Sequence, residues 1–87
     1  MKTSEIEIRH AVGLHARPAK TFVQTAQKFS AKVSVAYKGK TVNAKSLLSL
    51  LSIGAAQGAI ILIQTEGEDE AAALEALETL VNANFGE

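Results

Sequence analysis

The stretch SLLSLLSIGAAQGAIILIQT, residues 46–65, carries no charge over twenty positions, between Lys45 and Glu66. Twenty residues is the length of a membrane span, so the fold depends on how this stretch is read. Its composition argues against a span. Ser46, Ser49, Ser52 and Gln57 are polar, Gly54 and Gly58 interrupt the run, and the continuous apolar piece AIILI (59–63) has strand length. The expected reading is therefore a short helix, a glycine-flanked turn and a buried strand. Ser46 is a good N-cap for LLSLLSI (47–53), and Gly54 is a good stop. The strand AIILIQT (59–65), with its unbroken apolar run, is expected at the centre of its sheet.

Moving outward, EGEDE (66–70) opens a second long helix with acids in its first turn, where the helix dipole favours them. Ala73, Leu74, Leu77, Leu80 and Val81 form its expected buried stripe. Upstream, TVNA (41–44) and VSVAY (33–37) alternate like strands, joined through a tight turn at Lys38-Gly39. Further back, Ala19, Phe22, Val23, Ala26 and Phe29 recur at helical spacing, with Phe29-Ser30 as the expected end. EIEI (5–8) reads as a half-buried strand with Ile6 and Ile8 inward. The order β-α-β-β-α-β-α predicts an α+β fold, one antiparallel sheet with helices packed on one face.

The 87 residues suit one domain, 1–87, with a core just large enough to need no staples. Without cysteine, disulfide scaffolds and thiolate metal or redox sites are excluded, which fits a reducing, cytoplasmic setting. The opening MKTSEIEIRH lacks the apolar run of a signal peptide. Net charge is zero but segregated. All nine basic residues lie in residues 1–45 beside only Glu5 and Glu7, whereas residues 46–87 hold seven acids and no base. Zero net charge and sparse aromatics argue against nucleic-acid binding. The basic half suits a phosphate or an acidic protein partner.

The candidate site lies in GLHARPA, residues 13–19. Pro18 is tolerated only in the first turn of a helix, so the helix must start near residue 16. His15 then falls at or just before the N-cap. The first-turn N–H groups of a helix have no internal partner, and with the dipole they form an anion site. Arg17, on that turn, can bring a planar fork to the same anion. Gly13 permits an unusual backbone turn just before the ring. A neutral imidazole is a competent nucleophile near neutral pH. The arrangement suits attack on a phosphoryl donor, with the new negative charge met by Arg17 and the helix end.

The short helix has more leucine than it can bury. On a helical wheel Leu50 and Ile53 face the sheet, while Leu47, Leu48 and Leu51 fan out over a much wider arc than a surface helix needs. Either the last helix covers them or they form a docking surface. Ser46 caps this helix. If phosphorylated, it would place about −1.5 to −2 charges beside the apolar cluster and oppose docking. Lys20 and Lys45 could rim the patch. His10 reads as a loop residue with no role.

These segments resemble the HPr family, the histidine-containing phosphocarriers of the bacterial phosphoenolpyruvate-dependent sugar phosphotransferase system. The resemblance spans the chain, through GLHARPA (13–19), KGKTVNAKSLLSLLSIG (38–54), AAQG (55–58) and EGEDE (66–70). It implies an open-faced β-sandwich, with a four-stranded antiparallel sheet under three helices. It implies that Nδ1 of His15 accepts a phosphoryl group from phosphorylated enzyme I and passes it to enzyme IIA domains. Arg17 and the helix start, Ala16 to Pro18, would hold that group. Leu47, Leu48 and Leu51 would dock both partners, with Lys20 nearby. In some lineages an HPr kinase/phosphorylase modifies the serine matching Ser46, which weakens transfer and turns the protein towards a transcriptional regulator.

The resemblance further implies a monomer without metal or cofactor, a carrier and not an enzyme. Two departures stand out. Val12 replaces a polar side chain found in many members, and Gln24, Gln27 and Ser49 stand where lysines are frequent, which weakens steering towards acidic partners. Two other readings compete: a paralogue in a nitrogen-related relay, told apart by which enzyme I phosphorylates it, and a small phosphate-ester hydrolase, for which no second polar group is placed to activate water.

Overall fold

A computed structural model describes residues 1–11 and 13–86. The elements are β1 (Lys2–Glu7), α1 (Ala16–Ala26), β2 (Lys32–Tyr37), β3 (Lys40–Asn43), α2 (Leu47–Leu51), β4 (Ile60–Glu66) and α3 (Glu70–Asn82), closed by a 3-10 turn at Asn84–Gly86. The four strands form one antiparallel sheet in the order β1-β4-β2-β3, an open sheet with three helices as expected.

The uncharged stretch divides as its glycines indicate. Leu47–Leu51 is helix, Gly54 takes a positive φ of 65° just after it, and Ile60–Glu66 is strand. No helix among the described residues is long and apolar enough to cross a membrane. β4 is central, paired with β1 and β2. Yet its apolar run does not reflect burial on both faces. Ile61, Ile63 and Thr65 point into the core, whereas Ile60 is 61% exposed on the open face and Leu62 is half-buried.

The core lies between sheet and helices. Ile8, Val35, Ile61 and Ile63 from the sheet side meet Phe22, Leu50, Leu77 and Val81 from the helices, all fully or almost fully buried. The expected stripes of α1 and α3 are the buried ones, apart from Leu80, which is half-buried, and Phe29. α1 stops at Ala26, earlier than the recurrence of Phe29 suggests, and Phe29 is half-buried outside it. The reason is tertiary. The chain tightens through Lys28 N–H to Thr25 O (3.1 Å) and Phe29 N–H to Ala26 O (3.2 Å). Asp69 then accepts from the N–H groups of Ser30 (2.9 Å) and Ala31 (2.8 Å), and fixes the turn into β2.

The β2–β3 hairpin turns on Lys38 (φ 50°) and Gly39 (φ 80°), the left-handed pair that suits a two-residue connection between twisted strands. The terminal turn was not foreseen in the sequence. Phe85 takes a positive φ of 59° and is buried, its ring edge-on to His10 at 6.0 Å. His10 lies in a loop, as expected, and its ring packs against Phe85.

Candidate functional site

His15 is the N-cap of α1, with extended backbone (φ −96°, ψ 179°), and its side chain makes no capping bond. The ring is exposed, as are Ala16 and Arg17. The placement follows from the local chemistry. Pro18 sits third in the helix and is fully buried, so its fixed φ supports the first turn. Lacking an N–H, Pro18 cannot donate to an anion, so of the expected phosphate-binding trio the backbone donors come from Ala16 and Arg17. α1 carries no acid in its first turn, whereas α3 has Glu70 there. The positive end of α1 is thus not neutralised by a carboxylate of its own.

The loop before His15 is pinned to the segment before β4. Leu14 N–H donates to Ala55 O at 2.8 Å, Gly58 N–H to Ile8 O at 2.7 Å, and Ile8 N–H to Ala59 O at 2.8 Å. Gly13 is buried with φ 68°, and a Cβ there would lie 2.7 Å from both Ala55 O and Ala56 Cα. Two constraints therefore require glycine: the left-handed backbone and the close approach of another chain segment. The N–H of His15 bonds back to Gly13 O at 2.9 Å, and its carbonyl accepts from Ala19 at 2.8 Å, which completes the entry to α1. Val12, noted as a departure from the family, lies outside the described residues.

α2 packs against α1 and presents the leucines. Leu50 is fully buried and Ile53 nearly so, as the wheel requires. Leu48 is 82% exposed, Leu47 is 37% exposed and Leu51 is half-buried, so α3 does not cover them. Ser46 caps the helix by accepting from Ser49 N–H at 3.3 Å, and is itself partly accessible. Lys20 is exposed on α1. Lys45, expected at the rim, directs its ammonium to Phe29 O at 2.6 Å and ties the start of α2 to the end of α1. The pairs that hold α1 to α2 join positions far apart in the chain, and no periodicity marks them.

A concavity of about 590 Å³ lies elsewhere, on the open side of the sheet between Lys32, Ser34, Asn43 and Gln64. Its lining includes Lys45 but neither His15 nor Arg17, and the exposed chemistry around His15 is the stronger candidate.

Comparison with known proteins agrees with this fold. Residues 2–83 match the family described as PTS HPr component phosphorylation site. The phosphocarrier protein HPr of Neisseria meningitidis serogroup A is 44% identical over 87 residues, covering 100% of this chain and 98% of that protein. The crystal structure of HPr-C-His from Thermoanaerobacter tengcongensis superposes with a TM-score of 0.97 at 48% identity, covering 100% of this chain and 98% of that one. An HPr dimer from the same organism gives 0.81 at 48% identity, with full coverage of both chains.

Proposed function

The chain belongs to the HPr family of phosphotransferase-system phosphocarriers, and on that premise we propose that it carries a phosphoryl group on His15 between enzyme I and enzyme IIA domains. The observation that carries this reading is the exposed His15 at the N-cap of a helix with no first-turn acid. A ring nitrogen of His15, Nδ1 in the family pattern, attacks the phosphorus of phosphorylated enzyme I. The N–P bond forms as the bond to enzyme I breaks, and in the second transfer an acceptor on an enzyme IIA domain attacks the phosphorus as the N–P bond breaks and His15 leaves. The Ala16 and Arg17 amides at the positive end of α1 stabilise the developing charge, and the Arg17 guanidinium supplies a planar fork. Each transfer needs a partner, so the protein acts as a single-domain carrier, a substrate of other enzymes in the cytoplasm, and needs no cofactor.

Both partners dock on Leu47, Leu48 and Leu51, beside the exposed Lys20. Phosphorylation of Ser46 by an HPr kinase/phosphorylase places a dianion at the edge of that patch and weakens docking. The carrier acts as a monomer, and light scattering that returned the mass of two chains would contradict this. The central test is onward transfer. Protein first charged with phosphate and then freed of enzyme I should lose its label to an enzyme IIA domain within seconds. Retention of the label in the presence of a competent acceptor would refute the carrier role.

A further inference from the structure

α2 is too short to hold its own place. It has five residues and fully buries only Leu50. Its position against α1 therefore depends on ties at its ends. At the C-terminal end Lys40 Nζ donates to Ser52 O at 3.3 Å. At the N-terminal end three bonds meet on Lys45. Its ammonium donates to Phe29 O at 2.6 Å, its carbonyl accepts from Gln27 Nε2 at 3.0 Å, and its N–H donates to Asn43 Oδ1 at 2.9 Å. Gln27 is the C-cap of α1, and α1 has no basic residue in its own last turn. Lys45 thus supplies, from another element, the cation that the negative end of that helix favours.

We propose that Lys45 is a positioning residue, whose bonds to Phe29 and Gln27 keep the leucine patch of α2 in register with the helix that carries His15. A partner seated on Leu47, Leu48 and Leu51 then meets His15 at transfer distance. The inference rests on the proposed phosphocarrier function. It differs from a rim-charge role in two ways: a rim charge acts through encounter and fades with salt, whereas the clamp also runs through neutral Gln27.

The test is steady-state phosphorylation by enzyme I with phosphoenolpyruvate and Mg²⁺, at low and high ionic strength, with melting curves for every variant. Lys45→Met and Gln27→Ala should each raise KM about three- to tenfold, with a much smaller change in kcat. The double variant should show less than the product of the two. The effect should persist at high salt, and Lys45→Arg should restore most of it. A KM effect confined to Lys45→Met and abolished by salt would make Lys45 a direct charge contact. Lowered melting points with unchanged KM would make the bonds structural only. Either result overturns the inference. Failure of the unaltered protein to be phosphorylated would refute the carrier function itself. The clamp is also read without enzyme I: Gln27→Ala should shift the backbone NMR signals of Leu47–Leu51, and unmoved signals would overturn it.

Discussion

At the scale of single residues, the site is made by what a few positions forbid. Gly13 admits no side chain, because a Cβ would collide with Ala55 and Ala56 and the backbone is left-handed. Gly13→Ala should lower stability by about 1–3 kcal/mol, read by urea denaturation, and should displace His15 enough to slow phosphoryl acceptance. Unchanged stability would mean that the close approach is relieved by a small shift of the loop. Pro18 limits where α1 can start and so puts His15 at its N-cap. The helix start set by Pro18 and the unusual turn at Gly13 were legible in GLHARPA, since proline and glycine act through local backbone geometry, whereas the close approach of Ala55 and Ala56 was not. The pairing of His10 with Phe85 was not legible. It joins residues far apart in the chain, and Asn84 and Phe85 adopt positive φ although neither is glycine.

At the scale of elements, α2 divides its leucines between a buried and an exposed set. Leu50→Ala should cost about 2–5 kcal/mol, because Leu50 is fully buried. Leu48→Glu should change stability by less than about 0.5 kcal/mol, because Leu48 is 82% exposed. Leu48→Glu should nonetheless raise KM with enzyme I severalfold, because it puts a charged carboxylate in the apolar contact. Equal stability losses for the two variants would refute the division, and an unchanged KM for Leu48→Glu would refute docking. The helical wheel foresaw this division, because periodicity reports which face turns inward. Periodicity failed at the end of α1, where Phe29 kept the spacing but lies outside the helix. There the deciding partners are Asp69 and Lys45, far along the chain, and spacing carries no record of them. The same limit applies to β4: its run of isoleucine and leucine placed it centrally, yet one face is open and Ile60 stands in solvent.

At the scale of the whole molecule, two acidic groups at the start of α3 hold distant segments. Asp69 accepts from the Ser30 N–H, from Ala31 N–H and from the Ser30 hydroxyl, and the Ser30 amide bond leads in lowering its carboxyl below the usual range. The Gly67 amide likewise lowers Glu70, with help from the terminal amine of Met1 at 3.1 Å. A carboxyl depressed in the folded state contributes stability that is present above its unfolded value of about 4. That contribution is lost as pH falls through the lower folded value. Melting temperature should therefore drop on acidification below about pH 4. Asp69→Asn should flatten that drop, and an unaltered profile would remove Asp69 as its source. The order of elements and the charge segregation were readable in advance, whereas this latch was not, since EGEDE reads equally well as a favourable helix start. In the proposed carrier role, the fold presents His15 at the N-terminal end of α1 together with the leucine patch of α2. The most direct measurement is intact-mass spectrometry after incubation with enzyme I, Mg²⁺ and phosphoenolpyruvate, on the wild type and His15→Ala. The account predicts one acid-labile phosphoryl group on the wild type and none on the variant. A folded wild type that gains none from an active enzyme I, or a His15→Ala protein that gains one, would contradict it.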